Sequence, residues 1–329
     1  MSGRPLADYE RVLVIKLGAL GDFVQALRAM AEIRRAHPRA KITLLTTPPY
    51  AELAQASGYF DAIDTGGRPK GLGGQFSLAL RLRRGRYQRV YDLQTSSRSA
   101  SYIWAFAPVF PEWSGISPGA SHRHRNPRRD LMQNLDRLWD QLAEAGVVEP
   151  LPEGSAPGPD LAFAIAASDR ERPTVAERLG VKAPYALLAP GASPGRPRKR
   201  WPAQGFADLA RALKQLGVTP VVIGGPQEAE LGQAIAKAAP STVVAAGRTK
   251  LVDLAALGAR AALLVGNDTG PTYLAALAGA PSLILFSAES DPALCAPCSP
   301  CITVMRSDDL ADLDSTLVIK AARVLLGCA

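Results

Sequence analysis

Two continuous apolar runs, Ala261 to Val265 (AALLV) and Ser282 to Phe286 (SLILF), are separated by the segment GNDTGPTYLAALAGAP, which has room for one turn and one short helix. A five-residue apolar run without alternation is a strand buried on both faces, as in a parallel sheet covered by helices. Pro271 suits a first helical turn, Tyr273, Leu274 and Leu277 share a face, and Gly279 with Pro281 ends the run. The stretch therefore reads as a β-turn-α-β unit. In such a unit the turn lies at the carboxyl end of the strand, where open parallel sheets bind ligands and the next helix aims free amides. Asp268, Thr269 and Gly270 are thus candidate binding groups. Asp and Thr also cap helices, so this stretch alone leaves both readings open.

The same grammar runs along the chain. Val12 to Ile15 is a strand, and Phe23, Ala26, Leu27, Met30 and Ile33 follow at helical spacing until His37-Pro38. Strands at Ile42 to Leu45, near Ala62-Ile63, and at Val90 to Leu93 alternate with helices over Tyr50 to Ser57, Phe76 to Arg84, Ser99 to Ala107 and Leu131 to Ala145. Residues 147–160 (VVEPLPEGSAPGPD) lack apolar periodicity and read as a linker. Beyond it come strands at Tyr185 to Ala189, Thr219 to Ile223 and Val243 to Ala245, with helices at Ala203 to Leu216, Glu228 to Ala238 and Val252 to Leu257. Leu310, Leu313, Leu317, Ala321 and Val324 predict one face of a terminal helix. Alternating strands and helices make doubly wound α/β layers. A chain of 329 residues exceeds the usual size of a single core, so two such domains with a cleft between them are expected.

Composition narrows the partners. The net charge of +8 calls for an anionic one: a phosphorylated substrate, an acidic membrane or nucleic acid. Aromatic residues are 6% and none interleaves with a basic run, which disfavours nucleic acid. The N-terminus MSGRPLADYE has no signal-peptide core and no apolar run approaches membrane-spanning length, so a cytoplasmic protein is expected.

Two further turns carry chemistry. Lys16 to Asp22 (KLGALGD) joins the first strand to its helix; Gly18 and Gly21 permit close backbone approach, and Asp22 would face the cleft as a general base. An Asp in a first turn is also favoured by the helix dipole alone. The turn lacks G-x-G-x-x-G, and G-x-x-x-x-G-K-[ST] occurs nowhere, which disfavours a dinucleotide oxidoreductase and a P-loop enzyme. In the second half, Pro190 to Pro202 (PGASPGRPRKRWP) sets Arg196, Arg198, Lys199 and Arg200 beside Gly and Ser, a combination suited to a diphosphate.

Lys16 to Asp22, Lys199-Arg200-Trp201-Pro202, Gly224-Gly225-Pro226 and, most specifically, Gly266-Asn267-Asp268-Thr269-Gly270-Pro271 together resemble glycosyltransferase family 9, the lipopolysaccharide heptosyltransferases. The likeness runs in order over nearly the whole chain. It implies a GT-B fold: two facing Rossmann-like domains, 1–150 for the acceptor and 151–308 for the nucleotide sugar, with helix 309–329 packing back toward the first. It implies an inverting, metal-independent transfer of heptose from ADP-heptose to an inner-core or related cell-envelope glycan by a monomer. Position by position, Asp22 matches the base, Lys199 the lysine on the donor phosphate, and Asp268 the aspartate on the donor sugar. Thr269, Gly270 and Pro271 match the diphosphate-binding helix start; Ser193 and Glu228 match phosphate and ribose contacts less closely. The family commonly has His where this chain has Tyr273, and a Tyr hydroxyl cannot carry an imidazolium's charge, so another donor stays open.

The acceptor side is read from charge: Gly18 and Gly21 in the first turn, and Arg123, Arg125 and Arg128 in the basic stretch 122–129, suit an anionic glycolipid. The same cations, with Arg81 to Arg89, could hold the protein against the anionic inner membrane. No metal is expected. Asp312-Leu313-Asp314 falls in the predicted terminal helix, where residues two apart face different ways. Cys295, Cys298, Cys301 and Cys328 leave zinc or iron-sulfur ligation as the alternative.

Overall fold

The computed structural model describes residues 8–193 and 195–327. The chain divides after Pro159 into two compact units, each with its own six-stranded, wholly parallel sheet. The first unit runs β1 Arg11–Ile15, α1 Leu20–Ala36, β2 Lys41–Leu45, α2 Ala51–Ser57, β3 Ala62–Asp64, α3 Gly71–Arg84, β4 Arg89–Asp92, α4 Ser97–Ala100, β5 Glu112–Gly115, β6 His122–Arg123 and α5 Asn134–Glu144. Its sheet order is β3-β2-β1-β4-β5-β6. Strand β1 is buried from Val12 to Ile15, and α1 buries Phe23, Leu27, Met30 and Ile33. Each such side chain contributes roughly 1.5–3 kcal/mol. Chain winding reverses between β1 and β4, and that switch point opens a crevice at their carboxyl ends.

The second unit runs α6 Ala162–Asp169, α7 Val175–Leu179, β7 Tyr185–Ala189, α8 Ala203–Gln215, β8 Thr219–Val222, α9 Ala229–Ala238, β9 Val243–Val244, α10 Leu251–Gly258, β10 Leu263–Asn267, α11 Gly270–Leu277, β11 Ser282–Phe286, α12 Pro292–Cys295, β12 Ile302–Arg306 and α13 Ser315–Gly327. Its order, β12-β11-β10-β7-β8-β9, puts the switch point between β7 and β10. All three central strands, β7, β10 and β11, are buried throughout, as their unalternating sequences require. Gly266 in β10 is needed for space: a Cβ there would stand 2.7 Å from Ala189 Cβ and 2.6 Å from Thr272 Oγ1.

Several expectations are corrected. The terminal helix starts at Ser315, and Leu310–Asp312 is a separate 3₁₀ turn. Asp309 caps that turn at Ala311 N (2.9 Å) and Asp314 accepts from Thr316 N (2.8 Å), so the helical frame restarts between them. The buried face is therefore Val318 and Ala322, while Leu317 and Val324 point to solvent. This helix joins the core of the second unit, which includes Leu209 and Leu213 of α8. Asp312-Leu313-Asp314 lies before it, not within it. Helix α3 begins at Gly71, taking Gly73 and Gly74 into its first turns, and the expected helix over Ser99 to Ala107 is one α turn followed by 3₁₀ backbone. The basic stretch 122–129 contains the edge strand β6, which pairs with β5 through Ser114–His122 and Gly115–Arg123. Strands β5 and β6 were missed because EWSG and HR carry neither an apolar run nor alternation.

Candidate active site

In the second unit the switch point gathers the loop after β7 and the turn after β10. Asn267, the last residue of β10, ties them together: its Nδ2 donates to Pro190 O (2.9 Å) and Gly191 O (3.2 Å), and its Oδ1 accepts from Trp201 N (3.3 Å). Trp201 is buried and donates from Nε1 to Leu313 O (2.9 Å), which fixes the end of the basic loop. Lys199 is consequently held inward, only 6% exposed, and its Nζ pairs with Asp268 Oδ2. Asp268 Oδ1 accepts from the Tyr273 hydroxyl at 2.5 Å. Burial, then the Asp268 charge and the neighbouring Cys295 thiol, push the Tyr273 hydroxyl far above its usual pKa, so it is a fixed donor.

Around this core, Thr269 is the extended residue before α11, and its Oγ1 meets Thr272 Oγ1 at 3.1 Å. Pro271 occupies the first turn. The amides of Thr269 and Gly270 are the leading donors of that helix, where the dipole favours an anion. Glu228 accepts from Gly225 N (2.7 Å) and packs over Gly191 and Gly224, where added Cβ atoms would lie 2.9 and 2.8 Å from it. Ser193 is exposed in the loop after β7. Arg196 and Arg198 reach outward, to Glu289 O (3.4 Å) and Asp309 Oδ2 (3.9 Å). The arrangement can hold a diphosphate: among the described residues Lys199 spends one of three N–H donors, on Asp268, leaving two.

The first unit builds a second constellation at its own switch point. Lys16 is buried and donates to Leu93 O (3.0 Å), while Leu17 N donates to Gln94 Oε1 (2.7 Å), so the turns after β1 and β4 are joined. Gly18 takes φ +110°, and a Cβ there would strike Tyr50 Oη at 2.5 Å. Gly21 is buried. Asp22 sits in the first turn of α1, half-buried, and accepts from Asn134 Nδ2 at 3.4 Å. Burial pushes the Lys16 ammonium down, partly countered by Asp22, with Arg137 pushing it down further. Burial pushes the Asp92 carboxyl up to about 6. Arg137 bonds Asn134 Oδ1 at 2.9 Å and meets no carboxylate at ion-pair distance among the described residues. Burial, then Arg129, push its guanidinium down.

The basic stretch is stapled to α5. Asp140 Oδ2 meets His124 Nε2 and accepts from Asn126 Nδ2, both at 2.8 Å, and Arg125 N donates to Glu144 Oε2 at 3.2 Å. Arg128 pairs with Glu153 at 3.0 Å; Arg123 and Arg125 are exposed. Asn134 and Arg137 escaped sequence reasoning, and Asn267, though quoted within the Gly266–Pro271 motif, was given no role. Asn134 and Arg137 are ordinary polar residues whose roles arise from neighbours that folding brings from elsewhere in the chain, and no local signal marks them. Among the described residues no cluster of three or more His, Cys, Asp or Glu is placed to hold a metal ion, and Cys295, Cys298 and Cys301 form no disulfide. Cys328 lies outside the described residues.

The family model described as glycosyltransferase family 9 (heptosyltransferase) matches residues 75–316. Lipopolysaccharide heptosyltransferase 2 of Escherichia coli is 26% identical over 301 residues, covering 85% of this chain and 83% of its own. Among solved structures, the family 9 glycosyl transferase of Veillonella parvula superposes with a TM-score of 0.79 at 22% identity, covering 99% of both chains. An E. coli heptosyltransferase, WaaC, solved with ADP, gives 0.74 at 19% identity, covering 96% of this chain and 99% of its own. These likenesses over both units identify the fold as GT-B.

Proposed function

The chain belongs to glycosyltransferase family 9 and is a glycosyltransferase, and from that premise we propose that it moves heptose from ADP-heptose onto a lipopolysaccharide inner-core or related cell-envelope acceptor. The observation that carries the reading is the buried Lys199–Asp268–Tyr273 network at the β7/β10 switch point, beneath the start of α11. The relatives support the donor and acceptor classes: one is named for lipopolysaccharide and another was solved with ADP.

In this mechanism an acceptor hydroxyl attacks the anomeric carbon, the bond from that carbon to the diphosphate oxygen breaks, and the configuration inverts. The hydroxyl proton passes to the Asp22 carboxylate. Charge building on the departing ADP is met by Lys199 and the amides of Thr269 and Gly270, donors already in place before reaction. Asp268 and Tyr273 orient the donor sugar. Glu228, beside Gly191, takes the ribose, and Ser193 the phosphate. Gly18 and Gly21 admit the acceptor, and Arg123, Arg125 and Arg128 hold its anionic groups, together with Arg137, which bonds the Asn134 that contacts the base. The reaction needs no metal, the enzyme works as a monomer, and it acts at the cytoplasmic face of the inner membrane.

The test is transfer itself. Purified protein is incubated with ADP-heptose and truncated inner-core acceptors, and the products are read by mass spectrometry. Gain of one heptosyl residue, abolished by Asp22→Asn, is the expected result. Transfer from UDP or GDP sugars with none from ADP-heptose would overturn the donor assignment.

A further inference from the structure

Helix α3 carries two apolar stripes, and only one is used. Leu78 and Leu82 enter the core of the first unit. Leu72, Phe76 and Leu80 recur at four-residue spacing on the other side and remain exposed, Leu72 by 85% and Phe76 by 67%. A surface helix ordinarily presents one apolar face, and it faces the core. The second stripe continues onto the segment after α4. Trp104 is 63% exposed and stands edge-on to Phe110 at 5.9 Å between ring centroids, and Val109 beside it is 81% exposed. Between α3 and this segment runs an open groove of about 560 Å³ that Leu72, Phe76 and Trp104 line. Isolated exposed apolar residues are ordinary, whereas a contiguous patch marks an interaction surface.

The charge around the patch selects the partner. From residue 65 to residue 111 the one acidic residue is Asp92, which is fully buried. The same stretch exposes Arg68, Lys70, Arg81, Arg83, Arg84, Arg86 and Arg98, and Arg98 lines the groove. Of these, Arg81 is paired, with Asp64. An apolar patch with an amphipathic Trp, on a chain segment whose exposed charges are all basic, matches the boundary of an anionic bilayer, where Trp settles at headgroup depth and each nearby cation adds attraction.

We propose that the α3 face of the first unit docks onto an anionic lipid membrane, with Leu72, Phe76 and Trp104 entering the interface. The patch stands at the same end of its sheet as the candidate base. Arg68, just before α3, acts on Tyr50, and Tyr50 also feels Asp22 and packs over Gly18. A lipid-anchored acceptor would then present its glycan to the crevice that holds Asp22. This last step rests on the proposed function; the docking itself does not.

The experiment uses vesicles without any acceptor, so failure of docking and failure of the glycosyltransfer reading are separable. Full-length protein is sedimented with vesicles of equal parts phosphatidylglycerol and phosphatidylcholine, and with phosphatidylcholine alone. Wild type is expected to sediment with the anionic vesicles, and brominated acyl chains to quench an emission component that Trp104→Phe lacks. Phe76→Ser combined with Trp104→Ser should lower the apparent vesicle partition constant by about tenfold or more, in keeping with binding strength that scales with apolar area inserted. ADP binding, which belongs to the second unit, should stay unchanged. Leu72→Glu, at a site too exposed to disturb the core, should weaken binding in the same direction. Wild type that ignores anionic vesicles, or variants that bind them as wild type does, would overturn the proposal. So would a double variant whose main effect is to dissociate a dimer, since the face would then cover a second copy of the chain.

Discussion

Removing Asp268 while leaving Lys199 is the sharpest perturbation of the candidate site. Both side chains are buried, and the pair is completed by the Tyr273 hydroxyl on the other carboxylate oxygen at 2.5 Å. Asp268→Ala strands an ammonium in a nearly dry pocket and leaves the tyrosine hydroxyl unsatisfied. Breaking one side of a buried pair costs about 3–5 kcal/mol, and the orphaned hydroxyl adds about 1–3 kcal/mol, before Lys199 relaxes toward the loop mouth. The total should fall at about 4–6 kcal/mol. Lys199→Met alone strands the carboxylate, still bonded to Tyr273, and should cost about 3 kcal/mol. Joined with Asp268→Leu it removes both charges, and the double variant should be within about 2 kcal/mol of wild type. Urea unfolding followed by circular dichroism and by tryptophan emission measures wild type, the two single variants and the double, with Asp268→Leu alone as the corner that closes the cycle, and ADP titration tests whether each variant loses the donor. A single-variant cost below about 1 kcal/mol for Asp268→Ala, or a double variant less stable than either single, would refute the claim that the two charges hold each other in place.

Asp22→Asn should reduce turnover by about 10²–10⁴-fold with ADP binding unchanged, as loss of a general base does; equal loss of ADP affinity would argue against that role. Arg137→Met should raise acceptor KM while sparing donor KM, and the reverse pattern would move Arg137 to the donor side. Gly266→Ala should cost about 1–3 kcal/mol by forcing a methyl within 2.7 Å of Ala189 Cβ, measured by thermal unfolding; a neutral result would show that β7, β10 and α11 are not closely packed there. Burial, then Arg89 and Arg34, lower the buried His37 to about 4 from its usual 6.5. The unfolded chain gains this proton below pH 6.5 and the folded chain only near 4, so stability falls by about 3 kcal/mol as pH drops across that window. His37→Gln should flatten that part of the stability curve relative to wild type, and parallel curves would disprove the linkage.

Where local sequence dictates local structure, the chain was legible. Continuous apolar runs such as LLV in β10 and SLILF in β11 can be satisfied by little other than central parallel strands, because no face of such a run tolerates water. From that followed the doubly wound layers, the turns at the strand ends, and Asp22, the basic loop 190–202 and Asp268 as places of interest, since parallel topology makes strand carboxyl ends the binding edge, while the resemblance to family 9 picked Lys199 out of that loop. What stayed hidden depends on contacts distant in sequence. Strand β5 exists because β4 offers it an edge and β6 because β5 does in turn, and the face of α13 was set by two aspartate caps, Asp309 and Asp314, that restart the helical frame and bury Val318 instead of Leu317. Tyr273 could be seen as the position where the family commonly has His, yet only the tertiary structure decided that its hydroxyl is spent on Asp268. Asn267, Asn134 and Arg137 acquired their roles the same way. Their partners come from other elements, and a one-dimensional pattern carries no trace of a neighbour until the sheet brings it within hydrogen-bond reach.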